Sequence, residues 1–448
     1  MKKAGQLTRC ILLLILFNCV GLWSVAAGVS VPLKVLCIIA AALHFIVFTA
    51  FPQKQDISAK STEKLGRLSN GACILGYGRA LLWLELVPIV AFLATGALTP
   101  VRLIVNIVVA YLLIFVMNLN GILRIAVSSR QVKPTQWVLL FFTWYIPIVN
   151  SLVLKSFYRT ARSEYRFEQA KHELDGLRVE SQVCRTRYPI LMVHGIFFRD
   201  WQYFNYWGRV PAELIRNGAT VFYGKQQSAN LVSVSAGEIA EQIKSIIAET
   251  GAEKVNIIAH SKGGLDSRYA ISKLGMDRYV ATLTTINTPH FGCEWVDGVL
   301  DKAPRSLKDF CDRKYNRLFS RLGDRDPHFL LGVGELTKAA GERFEKEVPD
   351  SPSVRYHSVM SRMVTSRAAG FPLNLGYFLN KPYTKLGNDG LVSVESALRG
   401  ERTSMVPDTR KRGISHGDMI DLFRENIDGF DVREYYVQLV RELKESGF

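Results

Sequence analysis

Long runs of apolar residues, each with at most one charged side chain, dominate the first third of this chain and constrain its fold most strongly. The five runs cover residues 10–33, 35–53, 80–98, 103–123 and 134–154. Only the third contains a charge, that of Glu85. About 20 consecutive apolar residues span the hydrocarbon core of a bilayer, and such runs are rare in water-soluble cores. Their succession predicts an all-α transmembrane region over residues 1–155.

The first run has two interpretations. Lys2 and Lys3 followed by an apolar stretch, with small residues at Ala26 and Ala27, also fit a cleaved signal peptide. However, the second apolar run follows within a few residues. We therefore expect a retained helical hairpin that bends near Gly28 and Pro32.

Charge is divided unevenly along the chain and indicates which surface the protein meets. Residues 1–155 carry 14 Lys and Arg but only 3 acids, out of a net charge of +16 for the whole chain. Because most of the excess basicity lies beside apolar sequence, we expect an anionic membrane surface, not nucleic acid, as its counterpart.

Cations between the apolar runs predict the orientation. They concentrate at the N-terminus, in the loop 52–79 and in the loop after residue 123. The positive-inside rule puts these segments in the cytoplasm, with four crossings. Pro147 and Asn150 interrupt the fifth run, which we interpret as a hairpin that enters and leaves on one face. The prediction is a multi-pass protein of the cell membrane with its C-terminal part in the cytoplasm; the alternative is a full fifth crossing, which would place that part outside.

The sequence after residue 155 changes character twice. Residues 156–185 form a charged helical linker, and residues 186–448 alternate short apolar runs with amphipathic segments. Runs such as 188–193, 254–259 and 280–286 have the length of buried strands. This alternation predicts an α/β fold, a mostly parallel sheet with helices on both faces. Such sheets carry their sites at the carboxyl ends of the strands.

The strongest local motif is AHSKGG at residues 259–264, between a predicted strand and a predicted helix. It resembles a nucleophile elbow with Ala259 in place of the first glycine. Small residues two before and two after the serine let neighbouring backbones pass closely. We therefore predict that Ser261 is a nucleophile, and that the backbone amides of Lys262 and Ile196 form its oxyanion hole.

A serine nucleophile needs a base and an acid, which follow it in the order Ser, Asp or Glu, His in this kind of fold. His416 lies far enough downstream to be the base. Asp389, in the glycine-flanked turn GNDGLV, is the preferred acid, and Asp408 and Asp418 are competitors.

Five motifs resemble those of bacterial triacylglycerol lipases with the α/β-hydrolase fold. They are YPILMVHGI, AHSKGG, the stretch NTPHFG at 287–292, NDGLVS and SHGD at 415–418. The resemblance covers about residues 186–425. It implies Ser261 as nucleophile, Asp389 as orienting acid, His416 as base, and the Ile196 and Lys262 amides as the oxyanion hole.

The resemblance also raises the question of metal binding. Some of these lipases bind calcium through an aspartate two residues after the base, a position that Asp418 occupies, but the sequence offers no partner ligand on a second loop. The seven cysteines have no CxxC spacing that would indicate zinc. We therefore expect no cofactor, and calcium at Asp418 stays an open alternative for which the sequence gives no complete ligand set.

Substrate selection is expected from two segments. Residues 291–350 mix aromatic and aliphatic side chains with many charges, as in an amphipathic cap over an apolar pocket. The aromatic stretch 197–207 follows the predicted oxyanion loop and would make the acyl site apolar.

Together these features predict a membrane-anchored serine hydrolase, a lipase or esterase that cleaves carboxylic esters, with lipid acyl esters as the expected substrates. Two alternative functions remain open. One is an acyltransferase that uses the same three residues, and the other is a catalytically silent membrane-anchored scaffold.

Overall fold

The computed structural model describes residues 2–52, 63–178, 180–196, 205–321, 323–409 and 411–448. The chain divides into two compact units, residues 1–176 and 177–448. Each unit has its own hydrophobic clusters.

The first unit is entirely helical. Its helices are α1 (Lys2–Phe17), α2 (Cys19–Val25), α3 (Val31–Ala50), α4 (Glu63–Leu84), α5 (Leu86–Thr95), α6 (Pro100–Ser128), α7 (Pro134–Thr143) and α8 (Pro147–Arg178), the last of which continues into the second unit. Phe17 of α1 packs edge-to-face on Phe45 of α3, as expected for a helical hairpin. The turn between α2 and α3 lies at residues 26–30 and includes Gly28, where the sequence predicted a bend.

Three helical segments among the described residues are long and apolar enough to cross a membrane. They are Val31–Ala50, Glu63–Thr95, which joins α4 and α5, and Pro100–Ser128. The segments Gly5–Phe17 and Cys19–Val25 meet at a bend of 78° and would add a fourth span if they cross together. At this bend the Asn106 side chain of α6 accepts a hydrogen bond from the Gly21 amide, at 2.9 Å, and donates one to Asn18.

The fifth apolar run is not one helix. It is split between α7 and α8, and the break ends at Pro147, one of the two residues expected to interrupt it. Helix α8 then continues through the charged sequence as far as Arg178. The charged helix expected after residue 155 is therefore an extension of the second half of the apolar run.

The second unit contains a six-stranded sheet in which every pairing is parallel. Its strands are β1 (Ile190–Val193), β2 (Val221–Tyr223), β3 (Val255–His260), β4 (Val280–Ile286), β5 (Arg355–Met360) and β6 (Thr403–Met405). Their order across the sheet is β2-β1-β3-β4-β5-β6. The predicted fold class is confirmed.

Helices cover both faces of this sheet, which explains why β1 is a continuous apolar run and why β3 and β4 are buried along their whole length. On one face Ile190 and Met192 pack with α9 (Val210–Arg216) and α18 (Val432–Glu445). On the other face Leu191 and Val193 pack with α10 (Val232–Thr250) and α11 (Lys262–Lys273). Alternate residues of β1 thus contribute to opposite cores.

A helical insertion separates β4 from β5. Its helices are α12 (Glu294–Lys302), α13 (Arg305–Arg321), α14 (Phe329–Gly334) and α15 (Lys338–Glu347). Asp324 attaches the insertion to the loop after β2 by accepting hydrogen bonds from the amides of Ser228 and Ala229, both at 3.1 Å. That the insertion caps an apolar pocket stays a prediction. Two further helices, α16 (Leu373–Asn380) and α17 (Val394–Ala397), lie between β5 and β6.

Candidate active site

Ser261 lies in the tight turn between β3, which ends at His260, and α11, which begins at Lys262. Its backbone has φ 55° and ψ −132°, a strained conformation for a residue with a side chain. Gly263 is required here because a Cβ at this position would lie 2.3 Å from the carbonyl oxygen of His194. The motif therefore forms the sharp elbow that its small residues predict.

The two residues expected to form the oxyanion hole each follow the end of a strand. Lys262 is the first residue of α11, so its amide is one of the donors that the helix itself leaves unused. Ile196 lies three residues after Val193, the last residue of β1, and its side chain is buried. Because β1 and β3 are adjacent parallel strands, both residues lie at the carboxyl edge of the sheet.

The oxyanion hole is expected to use the backbone amide of Lys262, whereas its side chain is buried in other contacts. Its Nζ atom lies 2.7 Å from Oδ1 of Asp266 and 3.2 Å from the hydroxyl of Ser235 on α10. Burial raises the pKa of Asp266 to about 7, against the opposing effect of the Lys262 charge. The Lys262 side chain thus ties the first turn of α11 to α10.

Asp389 and His416 are brought together by the structure. Nδ1 of His416 lies 2.7 Å from Oδ2 of Asp389, and the His416 amide donates to the Asp389 carbonyl at 2.9 Å. The other carboxylate oxygen accepts hydrogen bonds from the amides of Leu391 and Val392, at 2.9 and 2.8 Å. A carboxylate held in this way keeps the proton of a neutral imidazole on Nδ1 and leaves Nε2 as a base.

The two competing acids are engaged elsewhere. Asp408 forms an ion pair with Arg362 at the surface. Asp418 accepts hydrogen bonds from the amide and hydroxyl of Ser415 and from the guanidinium of Arg412. Of the three candidates, Asp389 is the one that contacts the His416 ring.

The ring of one histidine, His260, connects His416 to the elbow. The ring of His260, the residue before Ser261, lies against the ring of His416 with a centroid separation of 4.4 Å. Ser261 and His416 are both largely buried. The predicted base therefore packs against the strand end that carries the predicted nucleophile.

Tyr206 is a positioning residue that the sequence did not reveal. Its hydroxyl accepts a hydrogen bond from the Gly195 amide at 3.0 Å and lies 2.7 Å from Nδ1 of His260. Burial holds the pKa of His260 well below its ordinary value, so the ring is neutral, and its tautomer decides which of the two groups donates this hydrogen bond. One hydroxyl thus joins the loop before Ile196 to the ring that packs on His416.

This finding corrects the expectation of an aromatic acyl site at Tyr206 and Trp207, the two described aromatic residues of the stretch 197–207. Residues 197–204 lie outside the described part of the chain. Tyr206 and Trp207 are buried in the core cluster beside β1 and α18, and neither forms an open acyl site.

Replacing Tyr206 with phenylalanine should cost stability and activity. The change leaves the Gly195 amide and His260 Nδ1 without their buried partner, at a cost of about 1–3 kcal/mol in the free energy of unfolding. Tyr436→Phe is the matched control, because the Tyr436 hydroxyl is buried without a hydrogen-bond partner among the described residues. Chemical denaturation and kcat of both variants test the role; equal effects of the two substitutions would contradict it.

Thr288, in the NTPHFG stretch, supports the elbow from β4. Its hydroxyl donates to the carbonyl of Ser261 at 2.8 Å. The neighbouring Asn287 side chain donates to the hydroxyl of Ser361, after β5, at 2.8 Å. These contacts join the ends of three adjacent strands around the nucleophile.

The residues around Asp418 do not fit a calcium site. Arg412 contacts both carboxylate oxygens of Asp418, at 2.8 and 3.1 Å, and also reaches Glu425 at 3.0 Å. A guanidinium thus already holds the two acids together where a calcium ion would need their oxygens. Within the described ranges no group of three or more His, Cys, Asp or Glu side chains is arranged to hold a metal ion.

The second unit, with its parallel sheet and elbow, resembles an α/β hydrolase of the lipase type. Residues 190–300 match the family model described as "Putative serine esterase (DUF676)". This range contains β1, the elbow and β4, but not Asp389 or His416. It supports a carboxylic ester hydrolase as the class of enzyme.

Curated relatives lead to the same class. The chain is 32% identical to a triacylglycerol lipase of Pseudarthrobacter phenanthrenivorans over 178 residues, which are 37% of this chain and 55% of the relative. It is 29% identical to triacylglycerol lipase 2 of Saccharomyces cerevisiae over 266 residues, which are 54% of this chain and 74% of that protein. The chain spans about half the length of the first two bacterial relatives it matches. The resemblance to triacylglycerol lipases is confirmed.

Solved structures that resemble the chain include two bacterial lipases. The mature Bacillus licheniformis lipase BlEst2 matches with a TM-score of 0.41 and 21% identity, covering 52% of this chain and 87% of that one. The Staphylococcus hyicus lipase matches with a TM-score of 0.46 and 16% identity, covering 58% and 97%.

Proposed function

We propose that this protein is a membrane-anchored serine hydrolase that cleaves carboxylic esters, with lipid acyl esters as its substrates. The observation that carries the proposal is the hydrogen bond between His416 and Asp389 at the sheet edge that presents Ser261 in a strained elbow. The triacylglycerol lipases among its relatives support the choice of substrate class.

In this proposal His416 takes the hydroxyl proton of Ser261 as Ser261 attacks the ester carbonyl. The oxyanion that develops accepts hydrogen bonds from the amides of Ile196 and Lys262. His416 then gives the proton to the leaving alcohol, and the acyl group remains on Ser261. Water, deprotonated by the same imidazole, attacks the acyl-enzyme and releases the carboxylic acid. Asp389 keeps the imidazole oriented throughout.

Hydrolysis by the purified full-length protein tests this proposal. We expect it to release carboxylic acid from p-nitrophenyl esters and from triacylglycerol, with preference for acyl chains that an apolar site can bury. Formation of the carboxylic acid, and not of a new ester with an added alcohol, separates hydrolysis from acyl transfer. A folded preparation that turns over none of these esters would contradict the proposal.

We also propose that the first unit anchors the protein in the cell membrane, with the hydrolase unit in the cytoplasm. The helices α3, α4–α5 and α6 and the cation-rich loops support multiple crossings with this orientation. The break before Pro147 supports a last segment that returns to the same face. Protease added to sealed cells should leave residues 177–448 intact and should digest them in inverted vesicles; the opposite pattern would reverse the orientation.

A further inference from the structure

The surface formed by residues 364–386, between β5 and the Asp389 turn, is unusually apolar. The large side chains exposed there are those of Val364, Phe371, Leu375, Phe378, Leu379, Tyr383 and Leu386. Phe371 is 78% exposed and Phe378 is 56% exposed. Contiguous apolar exposure of this kind marks a site that another surface covers.

Helix α16 lies at the centre of this surface and is apolar on both sides. Leu373 and Gly376 are buried on its inner side, as in any helix that packs on a core. Leu375, Phe378 and Leu379 project outward, at the spacing of a second helical face. A helix that faces water on its outer side would carry polar residues at these three positions.

The charges of the surface all have one sign. Residues 361–388 contain four cations and no acidic residue. Arg362 is paired with Asp408, whereas Arg367, Lys381 and Lys385 are exposed and form no ion pair with any residue that the structure describes. Glu395, an acid outside residues 361–388, faces this segment. Its carboxylate accepts hydrogen bonds from the amides of Lys385 and Leu386, at 2.7 and 2.9 Å, and so orders the loop.

The 364–386 surface is attached directly to the candidate active site. A Cβ on Gly376 would lie 2.0 Å from the carbonyl oxygen of Gly390, so α16 packs backbone to backbone on the turn that holds Asp389. The Asn380 side chain also donates to the Leu391 carbonyl at 2.7 Å. A molecule that covers the 364–386 surface therefore lies close to Asp389, the acid that contacts His416.

We propose that the 364–386 surface docks the hydrolase unit on the headgroup region of an anionic phospholipid bilayer. Exposed Phe and Leu side chains flanked by Lys and Arg are the combination that interfacial helices use, since the apolar side chains enter the acyl boundary while the cations pair with anionic headgroups. The positive sign of every charge on this segment favours a bilayer over a second copy of the same basic surface.

Photo-crosslinking of the full-length protein in nanodiscs tests this docking. p-Benzoylphenylalanine at position 378 should form phospholipid adducts, detected by mass spectrometry, in nanodiscs of phosphatidylcholine and phosphatidylglycerol. The matched control is position 215, because Ile215 is an exposed apolar residue on α9 outside the surface. Lipid adducts no more abundant at 378 than at 215, or adducts to another protein chain, would overturn the proposal.

The contribution of charge is tested separately. The triple variant Arg367→Gln, Lys381→Gln, Lys385→Gln should lower the adduct yield at position 378 about tenfold or more, the size expected for losing three cations at an anionic surface. If this variant does not fold, raising the salt concentration should lower the yield of the parent protein in the same direction. A yield that depends on neither charge nor salt would contradict binding to anionic headgroups.

The consequence for catalysis rests on the proposed esterase function. Phe371→Ser combined with Phe378→Ser should lower turnover of bilayer-resident lipid esters about tenfold, because each exposed aromatic side chain contributes to membrane attachment. Turnover of a short water-soluble ester should stay unchanged; an equal fall on both substrates would contradict docking as the cause. Since the crosslinking can be carried out in a Ser261→Ala background, failure of the esterase proposal leaves the docking result readable.

Discussion

Replacement of Ser261 with alanine should lower kcat for ester hydrolysis by at least about 10⁴-fold, because the change removes the hydroxyl that forms the acyl-enzyme. The fold should survive, since alanine is the smaller residue in the strained turn at φ 55°. Any rate that remains would reflect the oxyanion hole and substrate binding alone. Steady-state hydrolysis of a p-nitrophenyl ester by both proteins measures the effect.

Ser267→Ala provides the matched control for this substitution. Ser267 is a buried serine of the same helix α11, and its hydroxyl donates to the carbonyl of Gly263 at 2.7 Å. Its loss removes one hydrogen bond within the helix and should change kcat by less than about threefold. Comparable activity of Ser261→Ala and Ser267→Ala would rule out Ser261 as the nucleophile.

Replacement of Asp389 with asparagine should lower kcat by about 10⁴-fold, the size known for this change in a serine hydrolase. The geometry gives the reason. The amides of Leu391 and Val392 both donate to Oδ1 of Asp389, so the asparagine oxygen will remain on that side and its NH₂ group will face His416. The imidazole must then carry its proton on Nε2, where it cannot accept the proton of Ser261.

Asp408→Asn is the control for this second prediction. Asp408 forms a partly exposed ion pair with Arg362, and such pairs contribute about 0–1 kcal/mol to the free energy of unfolding. We therefore expect wild-type kcat for Asp408→Asn, together with an unchanged melting temperature for both variants. A large loss of kcat in Asp408→Asn together with a small loss in Asp389→Asn would identify Asp408, and not Asp389, as the orienting acid.

Local sequence patterns predicted those parts of the hydrolase unit that depend on neighbours in the chain. Strand β4 was predicted at its observed limits, and β1 and β3 were predicted within two residues of theirs. The elbow was predictable because Ser261 must stand between a buried strand and a helix, with a small residue at position 263. The pairing of Asp389 with His416 was predictable in outline because the strand order of this fold brings their loops to one edge.

Contacts between distant segments were beyond the sequence. Nothing in the local pattern distinguishes Tyr206, whose hydroxyl joins Gly195 to His260, from an aromatic residue of a substrate site. The role of Arg412 depends on the position of Glu425, 13 residues away, around Asp418. The outward apolar face of α16 can be recognised only once burial is known on its other side.

In the helical unit, periodicity predicted the apolar segments but not where their helices break. The bend between α1 and α2 lies beside Asn18, within an uninterrupted apolar run. It is stabilised by Asn106, which is 88 residues away in the chain. The break before Pro147, in contrast, was predictable, because proline lacks the amide hydrogen that a helix interior needs.

Covalent labelling by a fluorophosphonate tests the central claim most directly. The reagent reacts with an activated serine, and tandem mass spectrometry of the labelled full-length protein identifies the modified residue. We expect one adduct, on Ser261, that is absent from Ser261→Ala and forms much more slowly in Asp389→Asn. Labelling of Ser261→Ala at the wild-type rate, or no labelling of the folded wild-type protein, would contradict the central claim.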